Sequence, residues 1–153
     1  MAAIQPSTAI DVGCGVGTWL SVLAENGVAD VWGIDGDYVD RTLLQIPLER
    51  FLPHDLTMPI QLERRFDLVL CLEVAEHLPA DSAPVLIDSL VNLGPVIAFS
   101  AAIPYQGGTH HVNEQWPESF QNAFPKAYSS SRHSWKMGEL CQNFRTLSFP
   151  AAP

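Results

Sequence analysis

Residues 9–17 read AIDVGCGVG, an apolar run interrupted by one acid, Asp11, and followed by glycines at positions 13, 15 and 17. Ala9, Ile10 and Val12 suit a buried strand. Glycines directly after a strand let the backbone turn sharply and open a helix whose free N–H groups face a ligand. A strand, a glycine turn and a helix in that order form the opening unit of a parallel α/β sheet. The spacing is G-x-G-x-G, with Thr18 where a dinucleotide fingerprint would place its third glycine. Asp11 would repel a pyrophosphate in this loop, whereas it would hold an ammonium group directly or through water. The competing reading is an ordinary tight turn that packs a helix closely on a strand.

Working outward, apolar runs alternate with helix-like stretches through the first two-thirds of the chain. TAIDVG (8–13) is expected to be the first strand. GTWLSVLAENG (17–27) is expected to be a helix with Trp19, Leu20, Val22 and Leu23 inward and Gly27 as its stop. DVWGID (30–35) reads as the second strand, DYVDRTLLQ (37–45) as a short helix, and RFLPHD (50–55), entered after Pro47, as the third strand. FDLVLCLE (66–73), SAPVLIDSLVNLG (82–94) and PVIAFSAA (95–102) give a fourth strand, a helix closed by Gly94 and a fifth strand. The expected fold is therefore α/β, a doubly wound, mostly parallel sheet with helices on both faces, reduced at both termini. Ligands of such sheets lie at the carboxyl ends of the strands.

The bulk numbers fit one domain. A chain of 153 residues, 47% hydrophobic and 16% charged, can bury a sizeable core. A formal charge of −9 argues against nucleic-acid and anionic-membrane partners, which are held mainly by Lys and Arg. Cys14, Cys71 and Cys141 form no CxxC pair and point to neither a disulfide framework nor a zinc site. With no signal pattern and no apolar run long enough to span a bilayer, a cytoplasmic protein is expected. Residues 7–125 read as the core of a single domain over 1–153. Residues 126–153 are atypical: Lys126, Arg132, Lys136 and Arg145 lie there with Glu139 as the only acid. A helix at WPESFQNAF (116–124) and a last strand at FRTLSF (144–149) are the elements expected late in the chain. A sheet edge left open by a short tail makes a second copy of the chain a candidate partner, as a homodimer.

Two further acids stand at strand ends. Asp35 follows the glycine loop by about 20 residues, the distance at which an acid accepts hydrogen bonds from ribose hydroxyls. The alternative is a helix cap, for which Asp37 is an equal candidate. Asp55, in PHDL (53–56), can accept the exocyclic amine of an adenine while the Leu56 N–H serves a ring nitrogen; alone, it would be a turn residue.

DVGCGVG (11–17), GIDGD (33–37), HDL (54–56) and LEVAEHLP (72–79), in this order and spacing, resemble the class I S-adenosylmethionine-dependent methyltransferases, with a Rossmann-like sheet, and in particular the group containing the ubiquinone-biosynthesis O-methyltransferases. The resemblance covers residues 8 to about 120. It implies S-adenosylmethionine as cofactor and a small-molecule acceptor methylated on oxygen or nitrogen. It implies Asp11, Gly13, Cys14, Gly15 and Gly17 around the methionine part, Asp35 and Gly36 at the ribose, Asp55 and Leu56 at the adenine, and Leu72, Glu73 and His77 bordering the pocket. The short ends motivate a second expectation, a cofactor-binding module without activity. A nicotinamide-dependent oxidoreductase fits Asp11 and the loop spacing poorly.

Two segments could supply polar groups over the transferred methyl. In EVAEHLP (73–79), Glu73 and His77 share a face if the segment is helical, and Glu76 then points elsewhere. PYQGGTHHVNEQWP (104–117) is too polar for core, and His111 is its candidate general base. Alternatively, Asn113 and Glu114 merely cap a helix beginning near Trp116 and Pro117. A metal set of Glu73, Glu76, His77 and His111 can be drawn, but its spacing matches no usual ligand pattern, so no metal is expected.

Overall fold

The computed structural model describes residues 5–124. Five strands form: β1 (Thr8–Val12), β2 (Asp30–Asp35), β3 (Phe51–Pro53), β4 (Leu68–Leu72) and β5 (Ile97–Ser100). All neighbours pair in parallel, in the order β3-β2-β1-β4-β5. The chain steps outward from β1 to β3, then returns to β4 on the other side of β1. That reversal opens a crevice at the carboxyl ends of the strands.

The two-residue period of the strands sends alternate side chains to opposite faces. Ala9, Val31, Leu68 and Leu70 pack with Leu20 and Leu23 of α1 (Thr18–Glu25) on one side. Ile10, Val12, Ile34, Val69, Cys71 and Ile97 form the other core with Leu86, Ile87 and Leu90 of α2 (Ala83–Leu93). Phe120 of α3 (Pro117–Ala123) joins that second core through Phe99, their rings 5.2 Å apart. The doubly wound arrangement with helices on both faces is thus the observed one.

Four elements depart from the reading of the sequence. In α1 only Leu20 and Leu23 turn inward, while Trp19 and Val22 are 47% and 39% exposed. At about 100° per residue a short helix on a sheet buries one narrow stripe, and the two i, i+3 pairs here are offset by one position. Residues 37–45 hold no α-helix but one 3-10 turn, Arg41–Leu43. It is capped by Asp40, which accepts from the Thr42 N–H at 2.9 Å and from the Thr42 hydroxyl at 2.7 Å. Those local bonds compete with helix extension. Asp37, a cap candidate in the alternative reading, instead pairs with Arg41 at the surface. The EVAEHLP segment likewise forms only a 3-10 turn, Ala75–His77, entered from Glu73 at φ 56°. Nor do Asn113 and Glu114 cap α3, whose N-cap is Trp116 with no side-chain bond.

Residues 54–67 cross from β3 to β4 without an α-helix or strand, yet they are firmly attached. Leu56, Ile60 and Phe66 enter the α2-side core, the Ile60 N–H donates to Ser89 Oγ at 3.0 Å, and the Phe66 N–H to the Leu93 carbonyl at 2.8 Å. Gly94, which closes α2 as expected, leaves room for this passage: a Cβ there would stand 2.5 Å from the Phe66 carbonyl oxygen. The expected strand at 144–149 and the atypical segment 126–153 lie outside the described residues. Among the described residues no helix is long and apolar enough to cross a membrane.

Candidate functional site

The glycine turn joins β1 to α1 at the crevice. Gly13, Gly15 and Gly17 have φ of 86°, 53° and 84°, the left-handed region that side chains other than glycine enter at a cost. Gly13 also permits a close approach, since a Cβ would meet Val74 Cγ2 at 2.3 Å. The N–H groups of Gly13 and Cys14 donate to the Ile34 carbonyl at 2.7 and 3.2 Å, which fastens the turn to β2. Cys14 places its thiol in the α1-side core, and burial, with Asp11 and Asp35 adding, pushes its pKa up. Only its backbone is left to face a ligand.

Asp35, the last residue of β2, is 4% exposed and ties the site together. Its Oδ2 accepts from the Gly15 N–H at 2.7 Å, and its Oδ1 accepts from the Gly36 N–H at 2.6 Å and the Tyr38 hydroxyl at 2.5 Å. Asp11 is 2% exposed. Burial first, and the negative charge of Asp35 second, push its pKa up to about 7, with no hydrogen-bond donor among the described residues opposing them. Two carboxylates therefore crowd the base of one glycine loop, which disfavours a phosphate and favours a cation there.

The strand ends beyond Asp35 border an open cleft of about 590 Å³ whose walls include Asp35, Tyr38, His54, Asp55, Leu56 and Leu78. The His54 N–H donates to the Asp35 carbonyl at 2.8 Å, which brings the β3 end level with the acid. Asp55 is exposed; its Oδ1 accepts from the Thr57 N–H at 2.9 Å and the Thr57 hydroxyl at 2.8 Å. These bonds hold its pKa below the usual value. The second oxygen, Oδ2, takes no part in that turn. Leu56 is buried and Leu78 half-buried, giving apolar wall beside the polar groups.

Of the residues singled out from the sequence, Asp35, Gly36, Asp55 and Leu56 share this cleft. Asp11, Gly13, Gly15 and Gly17 adjoin it through the bond from Gly15 to Asp35. Leu72, half-buried at the end of β4, and Glu73 and His77, both exposed, are not on its walls. Sequence reasoning missed Tyr38, whose signal was an aromatic three residues after the strand-end acid, and His54, one residue before Asp55.

A second cluster lies past the ends of β4 and β5. Glu73 and His77 do not form the expected helical pair. It is Glu76, not Glu73, that meets His77 and His111, their ligand-capable atoms all within 4.8 Å of one another. The loop carrying His111 is pinned over the 3-10 turn: the N–H groups of Val112 and Asn113 both donate to the Glu76 carbonyl, at 2.8 and 3.1 Å. Buried Asn113 adds a bond from its Nδ2 to the Ala75 carbonyl at 3.3 Å. Glu114 accepts from the Tyr105 and Gly107 N–H groups and meets His111 Nδ1 at 2.9 Å.

Residues 2–100 match a family described as a methyltransferase domain. No curated protein matches the sequence. The structure is similar to the methyltransferase domain of a bacterial Hen1 (19% identity, TM-score 0.58, covering 76% of this chain and 72% of that one). It is also similar to magnesium protoporphyrin IX methyltransferase from Synechocystis PCC 6803 with bound SAH (24%, 0.58, 75% and 60%). A third similar structure is a SAM-dependent methyltransferase from Archaeoglobus fulgidus (18%, 0.59, 76% and 57%). At these identities the likeness is one of fold. The chain spans 60% and 57% of the second and third of these proteins.

Proposed function

The chain belongs to the methyltransferase domain family, and from that premise we propose that it transfers the methyl group of S-adenosylmethionine to an oxygen or nitrogen of a small-molecule acceptor. The observation that carries the reading is the pair of buried acids under the glycine loop, Asp11 and Asp35, the first with its pKa pushed up to about 7. A cationic ligand relieves such a pair, and a dinucleotide pyrophosphate aggravates it. The residues fit the donor. The Gly13–Gly17 turn and Asp11 take the methionine ammonium end, Asp35 the ribose hydroxyls, and Asp55 with the Leu56 N–H the adenine edge in the 590 Å³ cleft. One of the similar structures, the magnesium protoporphyrin IX methyltransferase, has SAH, the demethylated donor, bound.

When bound, the donor supplies a sulfonium methyl for in-line displacement. The chain must then align the acceptor and take its proton. His111 is the proposed base. Its Nδ1–H donates to Glu114, which leaves the Nε2 lone pair free. Tyr38, whose hydroxyl now occupies an Asp35 oxygen, must cede that oxygen to the ribose.

Thermal denaturation with ligand gives the first test. S-adenosylhomocysteine at 100 times its dissociation constant should add about 2.7 kcal/mol of stability, and NAD should add none. Stabilisation by NAD alone would overturn the reading. Methyl-labelled donor incubated with a metabolite library should then label acceptors bearing a hydroxyl or amine. His111→Ala should lose most turnover and keep its affinity for S-adenosylhomocysteine; unchanged turnover would remove His111 from the mechanism.

A further inference from the structure

Asp35 has more donors to serve than it has room for once a ribose arrives. A carboxylate offers about four lone-pair positions, two on each oxygen. Here Oδ1 has both taken, by the Gly36 N–H at 2.6 Å and the Tyr38 hydroxyl at 2.5 Å, and Oδ2 has one taken, by the Gly15 N–H at 2.7 Å. Among the described residues one position on Oδ2 remains, and a ribose diol needs two. The Gly15 and Gly36 bonds hold the backbone of the two turns that shape the site. Only the Tyr38 hydroxyl can withdraw and leave those turns intact.

Tyr38 is built to withdraw. Its backbone is fixed, because Val39 is buried and the Val39 N–H donates to the Gly36 carbonyl at 3.2 Å. Its side chain is not. Tyr38 is 83% exposed, and its ring lies over Gly36, where a Cβ would stand 2.1 Å from Cε1 and 2.4 Å from Cδ1. At that exposure no core packing locks the ring, so the bond to Asp35 is its main anchor and a change of rotamer releases it. Burial of the hydroxyl end first, and the bond to Asp35 second, push the phenol pKa up to about 12. The group therefore stays protonated, and a hydrogen-bond donor, throughout the neutral range.

We propose that Tyr38 is an internal competitor for the ribose site: its hydroxyl holds the place on Asp35 that one ribose hydroxyl takes, and the donor binds fully only when the side chain swings out of the cleft. The proposal deepens the methyl-transfer reading and rests on it. A phenol O–H donating to a carboxylate makes the same kind of bond as a ribose O–H, so the exchange is close to even in hydrogen bonds. The tether gives the phenol the advantage of an intramolecular ligand. The donor's apparent affinity is then its intrinsic affinity reduced by the fraction of molecules in which Tyr38 has moved aside. S-adenosylmethionine and S-adenosylhomocysteine share the ribose, so both meet this competitor. As the product leaves, the phenol returns to the carboxylate.

The test compares Tyr38→Phe with the parent protein by calorimetry against S-adenosylhomocysteine and its 2′-deoxy and 3′-deoxy ribose analogues. The phenylalanine keeps the ring and removes only the hydroxyl, at a position exposed enough to tolerate the change. S-adenosylhomocysteine should bind the variant about tenfold more tightly, the gain expected when Tyr38 blocks the place in roughly nine molecules in ten. An analogue lacking the hydroxyl that meets Oδ1 needs only the open Oδ2 position. One of the two deoxy analogues should therefore bind parent and variant within about twofold of each other. A change in the shape of the cleft would instead shift all three probes alike. Equal or weaker binding of S-adenosylhomocysteine by the variant, or an equal gain for all three probes, overturns the proposal and leaves the donor reading standing. Binding of no probe to either protein overturns both.

Discussion

Asp11→Asn is expected to stabilise the ligand-free protein at pH 8 and to lower its affinity for S-adenosylmethionine by about 100-fold. The two effects have one cause. Asp11 is 2% exposed, and burial first, with the charge of Asp35 second, pushes its pKa up to about 7 in the fold, from the 3.8 of an unperturbed aspartate. The folded state therefore holds a proton that the unfolded state releases in the window between those values. Stability conferred by the protonated group is fully present below pH 4 and is lost as pH rises through 7. A rise of about three units corresponds to an order of 4 kcal/mol, which the asparagine never loses. A ligand ammonium near 4 Å gains a Coulomb energy of the same order at an effective dielectric constant of 20, and that gain disappears with the charge. In the parent protein, affinity for the donor should climb as pH passes 7, while in Asp11→Asn it should not follow that titration. Denaturant melts and donor titrations from pH 5 to 8.5 measure both. A variant that is less stable at pH 8 and binds the donor as before would show that Asp11 has a structural partner and no ligand.

Asp35→Ala carries the second large effect, of opposite sign on stability. The side chain is the acceptor for the Gly15 N–H, the Gly36 N–H and the Tyr38 hydroxyl. Bonds to a charged acceptor contribute about 1.5–3 kcal/mol each, and losing them leaves the Gly15 N–H without its acceptor at the base of the turn. Part of this loss is offset, because the charge that raises the Asp11 pKa is removed as well. The net expectation is a loss of roughly 2–3 kcal/mol in folding stability, together with at least a 100-fold loss of affinity for S-adenosylhomocysteine. Asp35→Asn keeps one carbonyl acceptor and should fall between the two. If the alanine variant loses stability yet binds S-adenosylhomocysteine as the parent does, the acid only buttresses the loop and the ribose assignment is wrong.

The strands were legible because a parallel sheet covered on both faces demands apolar runs: LVLCL and VIAF are continuous, and AIDV is interrupted only by Asp11. The glycine turn was legible because positive φ values at the alternate positions Gly13, Gly15 and Gly17 leave few other residues for those positions. Helix faces were less so. Trp19, Leu20, Val22 and Leu23 are all apolar, and only contact with the sheet selects Leu20 and Leu23. Asp37 and Asp40 are chemically equal candidates for a cap, and the position of Thr42 decided for Asp40.

The same division runs through the two sites. By itself the sequence determined the parallel sheet, the glycine turn and an acid at the end of each of three strands, because those features follow from periodicity and backbone sterics acting over a few residues. Only the tertiary structure decided which carboxylates are desolvated and what they meet. Asp55 stayed in the solvent within its own Asx turn, Asp11 and Asp35 were buried within reach of each other's charge, and Glu76 was sealed beneath a loop some 35 residues away in sequence. Burial and electrostatic neighbourhood are properties of chain segments brought together from afar, and no local pattern encodes them.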